Sequence, residues 1–285
     1  MVARNNQDRL GETSVQDSDP ALSLEENSLS FATPTEFVTL PSKGRYYPQG
    51  HPLHEQGSVE IRYMTAKDED ILTSESLIKK GVVVDRLVQS VLIDKSIKVQ
   101  DLLLGDKNAI IIAARITGYG ADYAVDVSCQ SCGSRNEKNY NLDDISLIKN
   151  LDNIDLGALG VEISDQGTFF MELPATNAMV ELRLMNGRDE ERLTNLRKKR
   201  KKLKLEEANL TDNLKSIIVS VNNDDDRTVI NEFVQSLPST DAKHMRSVYQ
   251  DLVPRIELKT FFECDECDFA KEVNVPITVQ FFWPE

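Results

Sequence analysis

The chain has 285 residues, with 33 Lys and Arg against 47 Asp and Glu, giving a formal charge of -14. That excess of acid repels phosphate backbones and argues against bulk nucleic-acid binding. The length suffices for one large domain or two small ones, and 40% hydrophobic residues is the content of a folded globular protein.

Residues 1 to 33 are rich in Asn, Gln, Asp, Ser and Glu and poor in apolar anchors, so a flexible polar arm is expected there. They begin with no basic cap and apolar run, so no signal peptide is predicted. The longest apolar run lies around Ala109 to Ala114, far short of the roughly eighteen residues of a membrane helix. No membrane association is expected, and a soluble protein of the reducing cytoplasm is.

Residues 34 to 285 read as a single α+β body. Its first part, residues 36 to 150, opens on a β hairpin. Glu36-Phe-Val-Thr-Leu40 is a short apolar strand, Pro41-Ser-Lys-Gly44 a turn in which Pro fixes φ and Gly can take φ > 0, and Val59, Ile61 and Tyr63 alternate on a partner strand. Tyr46 and Tyr47 either cover the core beneath the loop or make it a docking surface. A helical block follows from Ala66 to Thr117. Thr65 and Asp68 have the form of a capping box, and Gly81 separates two helices. The second carries Val84, Leu87, Val88, Val91 and Leu92 on one face, and a third is expected to start at Asp106 as N-cap.

Residues 151 to 187 form a β region, with Val161, Ile163, Phe169, Met171, Leu173, Val180, Leu182 and Leu184 as its apolar positions. Residues 188 to 221 read as one long helix, because Leu193, Leu196, Leu203, Leu210, Leu214, Ile217 and Val221 keep a three-four spacing interrupted by Arg200 and Glu207. At about 1.5 Å per residue it would be about 50 Å long. Such a helix either projects, pairs with another chain as a homo-oligomer, or breaks in the middle. The basic run Arg197 to Lys204 lies inside it and reads as a solvated face, or as a contact for an acidic protein surface. Residues 222 to 285 hold two further helices and a strand pair.

The four cysteines form two C-x-x-C knuckles, Cys129-Gln-Ser-Cys132 and Cys264-Asp-Glu-Cys267. A C-x-x-C turn points two thiolates at one spot, and two such turns supply the four sulfur ligands of tetrahedral zinc. Alternating residues before each knuckle, Tyr123, Val125 and Val127 and then Ile256, Leu258, Thr260 and Phe262, mark both as hairpin tips. Val273, Val275, Ile277 and Val279 continue the second at period two. Residues 133 to 263 separate the knuckles, against roughly fifteen to twenty in a local ribbon. A shared structural zinc would therefore clip the two halves of the chain together in a zinc-ribbon-like pair. Free thiols and disulfides are the alternatives. The acids Glu263, Asp265, Glu266 and Asp268 make the second tip negative.

No nucleophile elbow, phosphate loop, dinucleotide fingerprint or H-E-x-x-H occurs, and His51 and His54 read as surface residues, so no catalytic residue is assigned and no enzyme is expected. The terminal Phe281, Phe282 and Trp283 either seal the core or dock on another subunit.

Leu40-Pro-Ser-Lys-Gly44 with Tyr46 and Tyr47 resembles the opening signature of the baseplate hub assembly proteins of T-even-type, contractile-tailed bacteriophages. Arg115, Tyr119-Gly-Ala-Asp-Tyr123 and Cys129-x-x-Cys132 resemble the middle of that pattern. Leu237-Pro238, Asp241, Cys264-x-x-Cys267 and Phe281-Phe-Trp-Pro284 resemble its end. The resemblance implies a non-enzymatic assembly chaperone or hub component that contacts other hub or tail proteins in the infected cell or in the virion baseplate. Leu40, Pro41, Lys43, Gly44, Tyr46, Tyr47, Phe281, Phe282 and Trp283 are then candidate partner contacts. The arm before residue 34 and the basic helix near residue 200 depart from the pattern. A zinc-ribbon nucleic-acid-binding protein using residues 197 to 204 is the alternative.

Overall fold

The computed structural model describes residues 33–275 and 281–282. The expectations for the arm, for Ile277 and Val279, and for Trp283 lie outside the described residues.

Strands β1 (Thr35–Thr39) and β2 (Ser58–Arg62) pair antiparallel with Val38 opposite Val59, as the hairpin pattern requires. The turn after β1 closes on Gly44 at φ 74°, where a Cβ would stand 2.4 Å from the Leu53 carbonyl oxygen and the Gln56 nitrogen. Only glycine fits that position. Helices α1 (Ala66–Thr73), α2 (Glu75–Lys80) and α3 (Val83–Val91) follow. The Asp68 carboxylate accepts the Thr65 N–H at 2.8 Å, completing the reciprocal half of the predicted capping box. The first helix is split at Ser74, and α3 buries Leu87, Val88 and Val91.

Helix α4 (Leu104–Tyr119) is the centre of the molecule, with Ala109, Ile110, Ile111, Ile112 and Ala114 all buried. Its N-cap is Leu103, so Asp106 is not the cap that its side chain suggested. Asp106 sits within the first turn, fully buried, and its carboxylate faces the turn after β1. Gly105 beside it lies so close to the chain end of a later helix that a Cβ would stand 1.9 Å from the Pro254 carbonyl oxygen.

The chain then forms the hairpin β3 (Asp122–Ser128) and β4 (Arg135–Asn141), a short α5 (Leu142–Ile145) and β5 (Ser146–Lys149). Strands β6 (Val161–Ile163), β7 (Phe169–Glu172) and β8 (Met179–Leu182) make an antiparallel meander in the expected β region.

The long helix over residues 188 to 221 does not exist as one element. Helix α6 (Gly187–Leu203) stops at Lys204, which takes the left-handed conformation at φ 54°. Helix α7 (Asn209–Ile217) folds back, and the chain finishes as strand β9 (Ile218–Val221), which adds to β8 as the fourth strand of the meander. The apolar seam is divided accordingly: Leu193, Leu214 and Ile217 are buried, Leu203 and Leu210 are exposed, and Val221 is a core strand residue. Arg200, one of the interruptions of the seam, holds the fold-back by a two-pronged ion pair to the Asp212 carboxylate. The seam is therefore not one continuous helical face.

Helices α8 (Arg227–Ser236) and α9 (Ser239–Leu252) lead into β10 (Arg255–Glu263) and β11 (Ala270–Asn274). Strand β10 lies between β11 and β5, with Ile256 opposite Ile148. Among the described residues, no helix is long and apolar enough to cross a membrane.

The turn after β1 points its signature residues inward. Leu40 and Tyr47 are buried, as are Pro41 and Gly44, while Lys43 and Tyr46 are half-buried. Ser42 donates its N–H (3.0 Å) and its hydroxyl (2.5 Å) to Asp106, and the Tyr47 hydroxyl donates to the same carboxylate at 2.8 Å while accepting the Leu103 N–H at 3.1 Å. His51 and His54 are not free surface residues. The His51 ring stacks on Tyr47 at 4.4 Å between centroids, and His54 Nδ1 lies 2.7 Å from the Tyr47 carbonyl oxygen. Phe281 and Phe282 are buried, with Phe281 edge-on to Tyr123 at 5.2 Å.

Candidate metal centre

Both knuckles are hairpin tips, as the alternating flanks predict: Cys129 and Cys132 lie between β3 and β4, and Cys264 and Cys267 between β10 and β11. Each tip is closed by its own backbone. Cys129 N–H donates to the Ser134 carbonyl at 2.8 Å, Gly133 N–H to the Cys129 carbonyl at 3.0 Å, and Cys264 N–H to the Phe269 carbonyl at 3.0 Å. The separation in sequence is bridged by β5. It follows the first hairpin almost at once and pairs with the first half of β10, so both hairpins issue from one strand junction.

The four sulfurs all lie within 4.8 Å of one another. Cys129 Sγ is 3.7 Å from Cys267 Sγ, and Cys132 Sγ is 3.7 Å from Cys264 Sγ. Four sulfurs at about 2.3 Å from a tetrahedral centre have edges of about 3.8 Å. The thiols are free, and the spacing is far beyond the roughly 2.05 Å of a disulfide bond. Four thiols at this spacing could hold a metal ion.

Donors converge on the sulfurs. Ser131 N–H reaches Cys129 Sγ at 3.3 Å and Glu266 N–H reaches Cys264 Sγ at 3.4 Å. The Ser134 hydroxyl lies 3.0 Å from Cys132 Sγ and 3.2 Å from Cys264 Sγ. That hydroxyl is the main reason Cys132 is lowered and Cys264 is brought down to about 6. Cys267 is pushed up to about 12: the Phe269 backbone favours its thiolate, but burial and the neighbouring cysteines outweigh that. Four thiols so close cannot all ionise by themselves, and a bound cation is what allows all four thiolates.

Residues outside the C-x-x-C spacing lock the tips together. Asn136, buried on β4, accepts the Asp265 N–H at 2.6 Å and donates to the Ser134 carbonyl at 3.2 Å. Lys138 pairs with Asp265 and lies 5.9 Å above the Phe262 ring, so one of the acids at the negative tip is neutralised. Neither Asn136 nor Lys138 carries a sequence signal beyond its place on the strand after Cys132.

The model of the family described as T4 bacteriophage base plate protein matches residues 33–283, which include the turn after β1, both knuckles and the terminal aromatics. The chain belongs to that family. No curated protein and no solved structure matches it. In this baseplate protein the signature turn and the cysteine cluster stand in one fold: Lys43 and Arg45 from the turn both pair with Asp152, which follows β5. The basic run lies on the exposed part of α6, except that Arg200 is committed to Asp212.

Proposed function

We propose that this baseplate protein serves assembly of the baseplate hub through protein–protein contacts, as an assembly chaperone or a hub component, and that its cysteine cluster holds a structural zinc ion. The family match over residues 33–283 is the observation that carries the assembly role. The sulfur geometry supports zinc. A set of four thiolates suits a tetrahedral borderline-soft ion, and the set of ligands is complete without water, the form of a site that stabilises folding. Cys129, Cys132, Cys264 and Cys267 would hold the ion, and Asn136 and Ser134 would set their orientation.

The assembly role is tested by removing the chain from the phage that encodes it and imaging the tails by electron microscopy. Tails lacking a hub, or no baseplates, are expected; normal baseplates would overturn the reading. The zinc assignment is tested separately by native mass spectrometry. The expected result is one zinc per chain, lost with a strong chelator; four free thiols and no metal at neutral pH would refute it.

A further inference from the structure

Helices α6, α7 and α9 enclose an open groove of about 690 Å³. Leu193, Leu214 and Ile217 form its floor, and Leu210, 59% exposed, stands at its edge. Arg197, Lys243 and Arg246 line its walls. The single acid lining the groove, Glu190, pairs with Lys107 at 2.7 Å. None of the three wall cations has an acidic partner among the described residues; Arg197 donates to the Asn209 side chain and Arg246 to the Ala242 carbonyl. Arg197 also lines a second cleft with Lys198, Lys201, Lys204, the exposed Leu205 and one acid, Glu207.

Cations without acidic partners are out of keeping with a chain of net charge -14. A site that combines an apolar trough with an unneutralised positive wall is complementary to a segment that is apolar on one face and acidic beside it. A phosphate backbone would use the cations but leave the exposed Leu210 in water. We propose that this groove docks an amphipathic helix of another tail protein, bearing leucine-type residues at i, i+3, i+4 and i+7 and Glu or Asp on the flanks. The inference deepens the assembly reading and rests on it, since it names the surface and the chemistry of one partner.

The probe is a fluorescent synthetic helix with that leucine spacing and glutamate flanks, titrated by anisotropy against the purified full chain. A matched helix with lysine flanks is the control. The glutamate helix is expected to bind roughly tenfold or more tightly than the control. Leu210→Asp, and Lys243→Glu with Arg246→Glu, are each expected to weaken it by about tenfold with an unchanged melting temperature. Equal binding of both helices, equal binding by variants and parent, or duplex DNA that binds more tightly and loses binding in the same variants would overturn the proposal. A phage carrying Leu210→Asp separates the two levels. Normal baseplates with this variant, but none without the chain, would refute the groove alone; normal baseplates without the chain would refute the assembly reading itself.

Discussion

Asp106 is a buried carboxylate whose donors are all neutral: the Ser42 N–H and hydroxyl and the Tyr47 hydroxyl. Burial pushes its carboxyl up, and those donors only partly offset the push. The turn after β1 is thus held by groups that are costly to leave single. Tyr47→Phe removes one hydroxyl that serves both Asp106 and the Leu103 N–H, so a loss of about 1–3 kcal/mol in urea unfolding is expected. A loss under a few tenths would mean that water reaches the turn. Asp68 behaves in the opposite way. Burial raises its carboxyl, but the Arg62 guanidinium, the Ser90 hydroxyl and the Thr65 N–H and hydroxyl more than reverse this and hold it well below the usual carboxylate range. Its folded value lies below its unfolded one, so its contribution is complete above the unfolded value of about 3.9 and fades as the pH falls towards the folded value. Asp68→Asn is expected to cost about 2 kcal/mol at neutral pH, with the gap between variant and parent closing below about pH 4. A gap independent of pH would remove the charge from the account.

The break of α6 at Lys204 decides how residues 187 to 221 are used. Nothing between Lys204 and Ala208 is a glycine or a proline, and the only local irregularity is Glu207, a charged residue in one slot of the apolar seam. The break comes from elsewhere: Leu214 and Ile217 are buried, β9 completes the meander, and Arg200 reaches Asp212 across the turn. Lys204 then has to adopt φ 54°, a conformation that favours glycine. Lys204→Gly is expected to raise stability by about 0.5–1 kcal/mol, whereas in a continuous helix it would cost about 1 kcal/mol. The sign of the change in thermal melting separates the two. Gly105 sets a different kind of limit, because α4 touches the chain end of α9 there. Gly105→Ala places a methyl 1.9 Å from the Pro254 carbonyl oxygen, and a drop in melting temperature together with a shift of the α9–β10 junction in hydrogen exchange is expected.

At the scale of the whole molecule, the cysteine cluster joins two hairpins that lie far apart in the chain, and β5 with β10 gives it a strand junction to stand on. If the proposed zinc is bound, removing it should loosen both tips without dissolving the rest of the core. Cys264→Ser leaves an incomplete site, and chelator should have the same effect on the parent: faster exchange of the amides from residues 122 to 141 and 255 to 274, and a lower melting temperature. A melting curve unmoved by either would show that the strand pairing alone carries the junction. The groove between α6, α7 and α9 also belongs to this scale, since its three walls come from segments that no local pattern connects.

The sequence by itself determined what local chemistry can encode. Two C-x-x-C turns flanked by alternating strands specify two cysteine-bearing hairpin tips, Gly44 specifies its turn, and Thr65 with Asp68 specifies a helix start, because each of these depends on residues a few positions apart. That the chain is a phage baseplate protein was legible in the same short motifs, since turns, caps and knuckles tolerate few residue types. What only the tertiary structure decided involves partners distant in the chain. The purpose of Ser42 and Tyr47 appears only with Asp106, and the roles of Asn136 and Lys138 only with Asp265. The end of α6 is set by the burial of α7 and β9 rather than by a breaker of its own. Helical spacing counts apolar residues without saying which core will receive them, and here packing against the sheet outweighed the propensity to continue.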